Sequence, residues 1–262
     1  MIVKCKESDK QTLVSFLSEE KILNTFILAD IDNYGFDKEF QSIYMDINID
    51  SKCVFVYLLF YNNLILAGDK SNIDTKFISK FLTQNTTVIM GKDSLIGKVS
   101  NSINRKIKYN VNYMYYLSDE NKLFPYDDDI KTANIDDVDR LHEFLLSFEE
   151  FKVRYSSKQM IIDRIAQNEG THVFIETDGK ITTHANSTAK SEFATMIGGV
   201  ISSIKTPSSD NESKIISKIS RLIIDDSSCP CIFSLDPVEI SYLPRLGFSL
   251  LGKWSILEIE NS

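Results

Sequence analysis

The sequence predicts an α/β (α+β) protein made of two consecutive mixed sheets flanked by helices. Three observations lead there. Runs with helical period alternate with runs of strand character. The rhythm of helices, three-strand meander, helix, strand occurs twice. A polar stretch, 118–129, separates the two copies; it holds Pro125 and the triple aspartate Asp127, Asp128 and Asp129. This assigns one domain to 1–120 and another to 130–262. The halves share pattern, not residues.

In the first half, Leu13, Phe16, Leu17, Leu23, Phe26 and Ile27 recur at three- and four-residue spacing, a helix over 13–30. Asn33, Tyr34 and Gly35 end it. Strands follow at 41–47, 53–60 and 64–67, with Tyr61, Asn62 and Asn63 as a hairpin turn. Ile73, Phe77, Ile78 and Phe81 stripe a helix over 72–82. A strand at 87–90, a helix at 93–103 and a long tyrosine-rich strand at 106–117 complete the half.

The second half opens with a short strand at 130–131. Amphipathic helices follow at 136–148 and 157–167, the first burying Val138, Leu141, Leu145 and Phe148. Strands at 171–177 and 180–185 flank Asp178-Gly179, the chemistry of a tight hairpin. A long strand at 193–204 leads to a helix at 209–225, a buried strand at 230–235, a short helix at 236–246 and a last strand at 248–259.

Bulk properties exclude several classes. The 262 residues are 43 % hydrophobic, enough for packed cores. A net charge of −8 argues against a nucleic-acid partner. No apolar run reaches the ~18 residues of a membrane span, and the first ten residues lack a signal-peptide core. Four cysteines do not make a disulfide framework; Cys229 and Cys231 are expected as a reduced pair facing the same way on a strand, and no metal site is expected. The expected location is the cytoplasm.

Particular residues sharpen the reading. The run Lys180-Ile-Thr-Thr-His-Ala-Asn-Ser-Thr-Ala189, then Met196-Ile-Gly-Gly-Val200, resembles a two-part, Gram-positive bacterial group of GNAT N-acetyltransferases. So does Asp236-Pro237 through Arg245-Leu-Gly-Phe248, and more loosely Leu23 to Ile27 and Asn33 to Phe36. The resemblance implies a GNAT-like first half and a GNAT domain in the second. It implies acetyl-CoA or another acyl-CoA as donor and an amine, small or peptidic, as acceptor. It implies a splayed strand whose backbone at Val200, Ile201 and Ser202 pairs with the pantetheine arm. A loop leading into the next helix, here Ser208, Ser209, Asp210, Asn211, Glu212 and Ser213, would meet the pyrophosphate.

The loop departs from the family pattern. Laid on without gaps, the arginine position is Pro207 and the glycine positions are Ser208 and Asp210. Asp210 and Glu212 place carboxylates where an anion should sit, and Ser209 with Glu212 has the spacing of a capping box. His184 is the expected base, on a strand lining the acceptor cleft, with Glu192 as the alternative. Tyr242, beside the usual tyrosine position at Leu243, is the expected acid. His142 and His172 are expected at the surface. Two functions stay open: an acyl-CoA-dependent N-acetyltransferase, and a catalytically inactive GNAT-fold protein that binds a ligand or regulates a partner.

Overall fold

The computed structural model describes residues 1–82, 86–125, 129–152, 155–167, 169–203, 210–235 and 242–260. Its chain forms two compact units. The first gathers Met1–Tyr115 with the described parts of Ser234–Glu239 and Leu250–Ser262. The second gathers Tyr116–Phe233 with the described parts of Ile240–Ser249.

In the first unit β1 (Ile2–Lys4), β2 (Gln41–Ile47), β3 (Cys53–Phe60) and β4 (Asn63–Gly68) pair antiparallel in sequence order. β5 (Val88–Lys92) joins β4 in parallel, which the crossover helix α3 (Thr75–Leu82) permits. The helix expected over 13–30 is two helices, α1 (Lys10–Leu17) and α2 (Thr25–Tyr34). The apolar period continues across the gap, but Asn24 Nδ2 donates to the Leu17 carbonyl at 2.9 Å. A side chain thereby satisfies an orphan carbonyl at the end of α1. Phe55, Tyr57, Leu64, Leu66, Ile78, Phe81 and Ile89 form the core, with Leu95, Ile96 and Val99 of α4 (Asp93–Ser100) packed on it.

The second unit repeats the order. β7 (Lys131–Thr132), β8 (His172–Thr177), β9 (Lys180–Thr188) and β10 (Ala194–Ser202) are antiparallel neighbours. β11 (Cys229–Ser234) joins β10 in parallel across helix α8 (Asn211–Asp225). The β8–β9 turn is Asp178-Gly179, both at positive φ, 52° and 76°, as the hairpin chemistry predicts.

Side chains on β8 and β9 alternate between two faces. One carries Phe174, which packs with Val138, Leu141 and Leu145 of α5 (Val138–Leu146), Phe151 of α6 (Glu149–Lys152) and Ile161 of α7 (Gln159–Gln167). α8 packs across β8, β9 and β10 through buried Ile215, Ile216, Ile219 and Ile223.

The last strand, β12 (Phe248–Ile259), reads in sequence as the end of the second half. It pairs antiparallel with β5, from Trp254 opposite Lys92 to Glu258 opposite Val88. It lies between β5 and β6 (Ile107–Leu117) in the strand order of the first unit. None of the four cysteines is in a disulfide; Cys231 is buried and Cys229 half-buried on β11.

Candidate active site

β10 is where the second sheet departs from regularity. Its parallel ladder with β11 runs from Ala194 opposite Cys229 to Ile197 opposite Ile232. β10 then continues to Ser202 and β11 to Ser234 outside that ladder. Against β9, Gly198 faces Asn186 but Ile201 faces His184. Gly199 and Val200 together stand against Ala185 alone, which is a β-bulge.

Gly199 makes the bulge feasible. Its φ is +58°, a region that side chains enter at a cost. A Cβ there would lie 2.4 Å from Asn186 Oδ1 and 3.2 Å from His184 Cε1. The Gly198-Gly199 pair inside a strand pattern is a signal for such a bulge.

His184 holds the bulge from β9. Its Nδ1 lies 2.8 Å from the Gly199 carbonyl oxygen, and its Nε2 lies 2.9 Å from His172 Nδ1. A carbonyl only accepts, so His184 Nδ1 carries a proton. The neutral ring then accepts at Nε2, and His172 Nδ1 donates to it. Both rings are fully buried. Burial pushes His184 down to about 4, partly offset by the Gly199 carbonyl, with Arg164 lowering it further. Burial, then His184 and Arg164, push His172 down to about 2. Tyr155 donates to Asn186 Oδ1 at 3.4 Å beside them.

This placement corrects two expectations. His184, expected as a base in an open cleft, is shut under α5–α7 with both ring nitrogens engaged. His172, expected at the surface, is its buried partner. The cause is strand alternation: His172, Phe174, His184 and Asn186 share the face those helices cover. His142 is part-buried, its Nε2 2.8 Å from the Tyr155 carbonyl.

The other expected residues divide. Ser202 is buried, its hydroxyl 3.0 Å from that of Thr183. Val200 and Ile201 are half-buried on the same strand. Glu192 is exposed just before β10 begins, roughly 23 Å of extended chain from Gly199, so it does not join the bulge. Ser208 and Ser209 lie outside the described residues.

The helix start differs from the expected capping box. The N-cap of α8 is Asp210, which makes no side-chain cap bond. Asp210 is exposed, Asn211 half-buried and Ser213 buried. Glu212, in the first turn, lies close enough to Tyr242 for its carboxylate to act on that hydroxyl. Tyr242 is half-buried just before the 3₁₀ turn Leu243–Leu246. Burial first, then the Glu212 charge and hydrogen bond, push its hydroxyl well above the usual phenol range. It therefore keeps its proton at neutral pH. Sequence spacing does not bring Glu212 and Tyr242 together; the fold does.

At the start of the equivalent helix of the first unit, the Asp74 N–H donates to the Tyr57 hydroxyl at 3.0 Å. Asp74 Oδ1 accepts from the amides of Lys76 and Phe77 at 2.9 and 3.0 Å, capping α3 with its own chain. Among the described residues no His, Cys, Asp and Glu cluster could hold a metal ion.

No family model matches the sequence. No curated protein matches it. Solved structures do match. A Drosophila protein superposes at a TM-score of 0.70 and 11 % identity, over 99 % of this chain and 98 % of its own. A tandem GNAT protein from the clavulanic acid biosynthesis pathway does so at 0.60 and 10 %, over 100 % of this chain and 99 % of its own. A GNAT-family acetyltransferase from Colwellia psychrerythraea does so at 0.57 and 11 %, over 99 % of this chain and 100 % of its own. Likeness at such identity concerns the fold, and this chain has the fold of the GNAT acetyltransferases, tandem members included.

Proposed function

We propose that the chain is an N-acyltransferase that moves an acetyl or other acyl group from acyl-CoA to an amine. The observation that carries this is the parted β10–β11 ladder beside the Gly199 bulge. Strands that part leave a main-chain edge for an extended ligand, and Val200, Ile201 and Ser202 offer it. The pantetheine arm suits that edge, since its amides pair as a peptide's do. The thioester, when bound, supplies the activated acyl group: a C–N bond replaces the C–S bond, and the amine's proton passes to sulfur. We assign Tyr242, beside the turn Leu243–Leu246, to give a proton to the leaving thiolate. Four cysteines outside any disulfide suit a reducing compartment, and we place the protein in the bacterial cytoplasm.

A specific observation favours a second reading. Glu212 and Asp210 put negative charge at the start of α8, where a pyrophosphate would have to lie. The nucleotide end of CoA fits poorly there. On this reading the protein is a GNAT-fold binder without turnover.

Calorimetric titration with acetyl-CoA and with free CoA, alongside thiol release in the presence of spermidine, tyramine and glycinamide, tests both. Turnover with any of these amines establishes the first reading. CoA binding without turnover establishes the second.

A further inference from the structure

We propose that His184 is a positioning residue for acyl transfer: by holding the Gly199 carbonyl it aims the Val200 N–H away from β9, as a hydrogen-bond donor to the acyl oxygen. The proposal rests on the acyltransferase reading above and gives its site a named electrostatic element.

The argument starts from the peptide bond. No peptide in the described chain is cis, and a trans peptide points its C=O and its N–H in opposite directions. The Gly199 carbonyl is turned toward His184 of β9 at 2.8 Å. The Val200 N–H is therefore turned the other way. The parallel ladder with β11 has already ended at Ile197, so this N–H is not one of its rungs.

Glycine alone would not hold that orientation, because it has more backbone freedom than any other residue. Two groups restrict it. Asn186 Oδ1 occupies the space where a Cβ of residue 199 would stand. The His184 ring fixes the carbonyl, and His172 fixes the ring. Because His172 donates to His184 Nε2, His184 is left to donate from Nδ1. The His172–His184 bond is buried, and the His184 ring that holds the Gly199 carbonyl is itself closed to solvent.

The chemistry needs such a donor. As the amine nitrogen forms its bond to the acyl carbon, the carbonyl oxygen gains negative charge, and it loses that charge when the C–S bond breaks. The sulfur leaves as thiolate and takes a proton; the amine gives one up. A backbone N–H already aimed at that oxygen stabilises the charge without reorganising. His184 itself touches no reacting atom.

The test uses the full chain with acetyl-CoA as donor and spermidine, tyramine and glycinamide as amine probes. His184→Leu removes the bond to Gly199. His184→Asn keeps an N–H at the place of Nδ1. In His184→Leu, kcat falls at least about tenfold while KM for acetyl-CoA stays within about threefold, and His184→Asn recovers most of the loss. An active wild type whose His184→Leu variant keeps its kcat overturns this role alone. A wild type inactive with every probe overturns the acyltransferase reading and this role with it. Ring ¹⁵N spectra of the wild type decide the matter if the leucine variant does not fold. A protonated Nδ1 on His184 supports the proposal, and a protonated Nε2 overturns it.

Discussion

His172 Nδ1 stands 2.9 Å from His184 Nε2, with the second ring bonded onward to the Gly199 carbonyl and neither ring reaching solvent. The pair accommodates one arrangement of protons, in which both rings are neutral. Adding a proton to either would place an uncompensated charge in the interior beside Arg164.

That arrangement makes stability depend on pH. In the unfolded chain both histidines titrate near the ordinary value of about 6.5. In the folded protein burial holds them at about 4 and about 2. The unfolded state therefore binds more protons below pH 6.5, and stability falls as pH drops through the window from 6.5 toward 4. The slope is about 1.4 kcal/mol per pH unit for each histidine. A His172→Asn variant keeps a donor to His184 but loses one titrating ring, so its urea midpoint should fall less steeply. Equal slopes in the two proteins would remove the pair as the cause.

Asp30 works in the opposite sense. Burial alone pushes its carboxyl up to about 7. The folded protein holds a proton there that the unfolded chain releases near pH 3.9. Stability from this residue is therefore lost as pH rises from about 3.9 to about 7. Asp30→Asn should raise the melting temperature more at pH 8 than at pH 5. A larger gain at pH 5 than at pH 8 would contradict the assignment.

Gly199 is the least replaceable residue of the bulge. An alanine would meet Asn186 Oδ1 at 2.4 Å and hold φ near +58°. The backbone alone costs about 1–2 kcal/mol, and the overlap adds to it. Gly199→Ala should lower stability by more than about 2 kcal/mol. Adding Asn186→Ala removes the closest clash, so the double variant should lose less than the two single losses summed. Strict additivity, read from denaturation curves of the four proteins, would mean the two residues do not press on each other.

Much of this was legible in the residues. The period of Ile215, Ile219 and Leu222 marks α8, and Asp178-Gly179 marks the β8–β9 hairpin. Other features depend on information a local pattern lacks. Phe248 to Ile259 alternates as a strand must, but alternation does not say which sheet receives it; pairing with β5 does. His172 and His184 sit on strands as polar residues usually do when they face water. They are buried because α5–α7 cover that face, and a histidine's sequence neighbours do not report what covers it. The spacing of Ser209 and Glu212 is local chemistry, whereas the nearness of Glu212 to Tyr242, thirty residues later, is set by the fold.

The Glu212–Tyr242 contact bears directly on CoA. The main-chain edge at Val200, Ile201 and Ser202 does not depend on side chains and can pair with pantetheine. The nucleotide end meets Asp210 and Glu212, with neither the arginine nor the glycines that bring backbone amides close to a pyrophosphate. Each charge-assisted hydrogen bond lost there is worth about 1.5–3 kcal/mol, and two or three suffice to move a micromolar affinity to millimolar. Wild-type protein should therefore bind acetyl-CoA with a dissociation constant near the millimolar range. Glu212→Ala removes one opposing charge and frees the Tyr242 hydroxyl, and Asp210→Gly removes another and restores a glycine. The double variant should bind more tightly, and the gain should grow as salt is lowered, because surface charges are then less screened. Calorimetry at two ionic strengths measures both effects. A wild-type constant in the low micromolar range would show that the start of α8 accepts phosphate despite its carboxylates. A gain that does not vary with salt would assign the change to shape and not to charge.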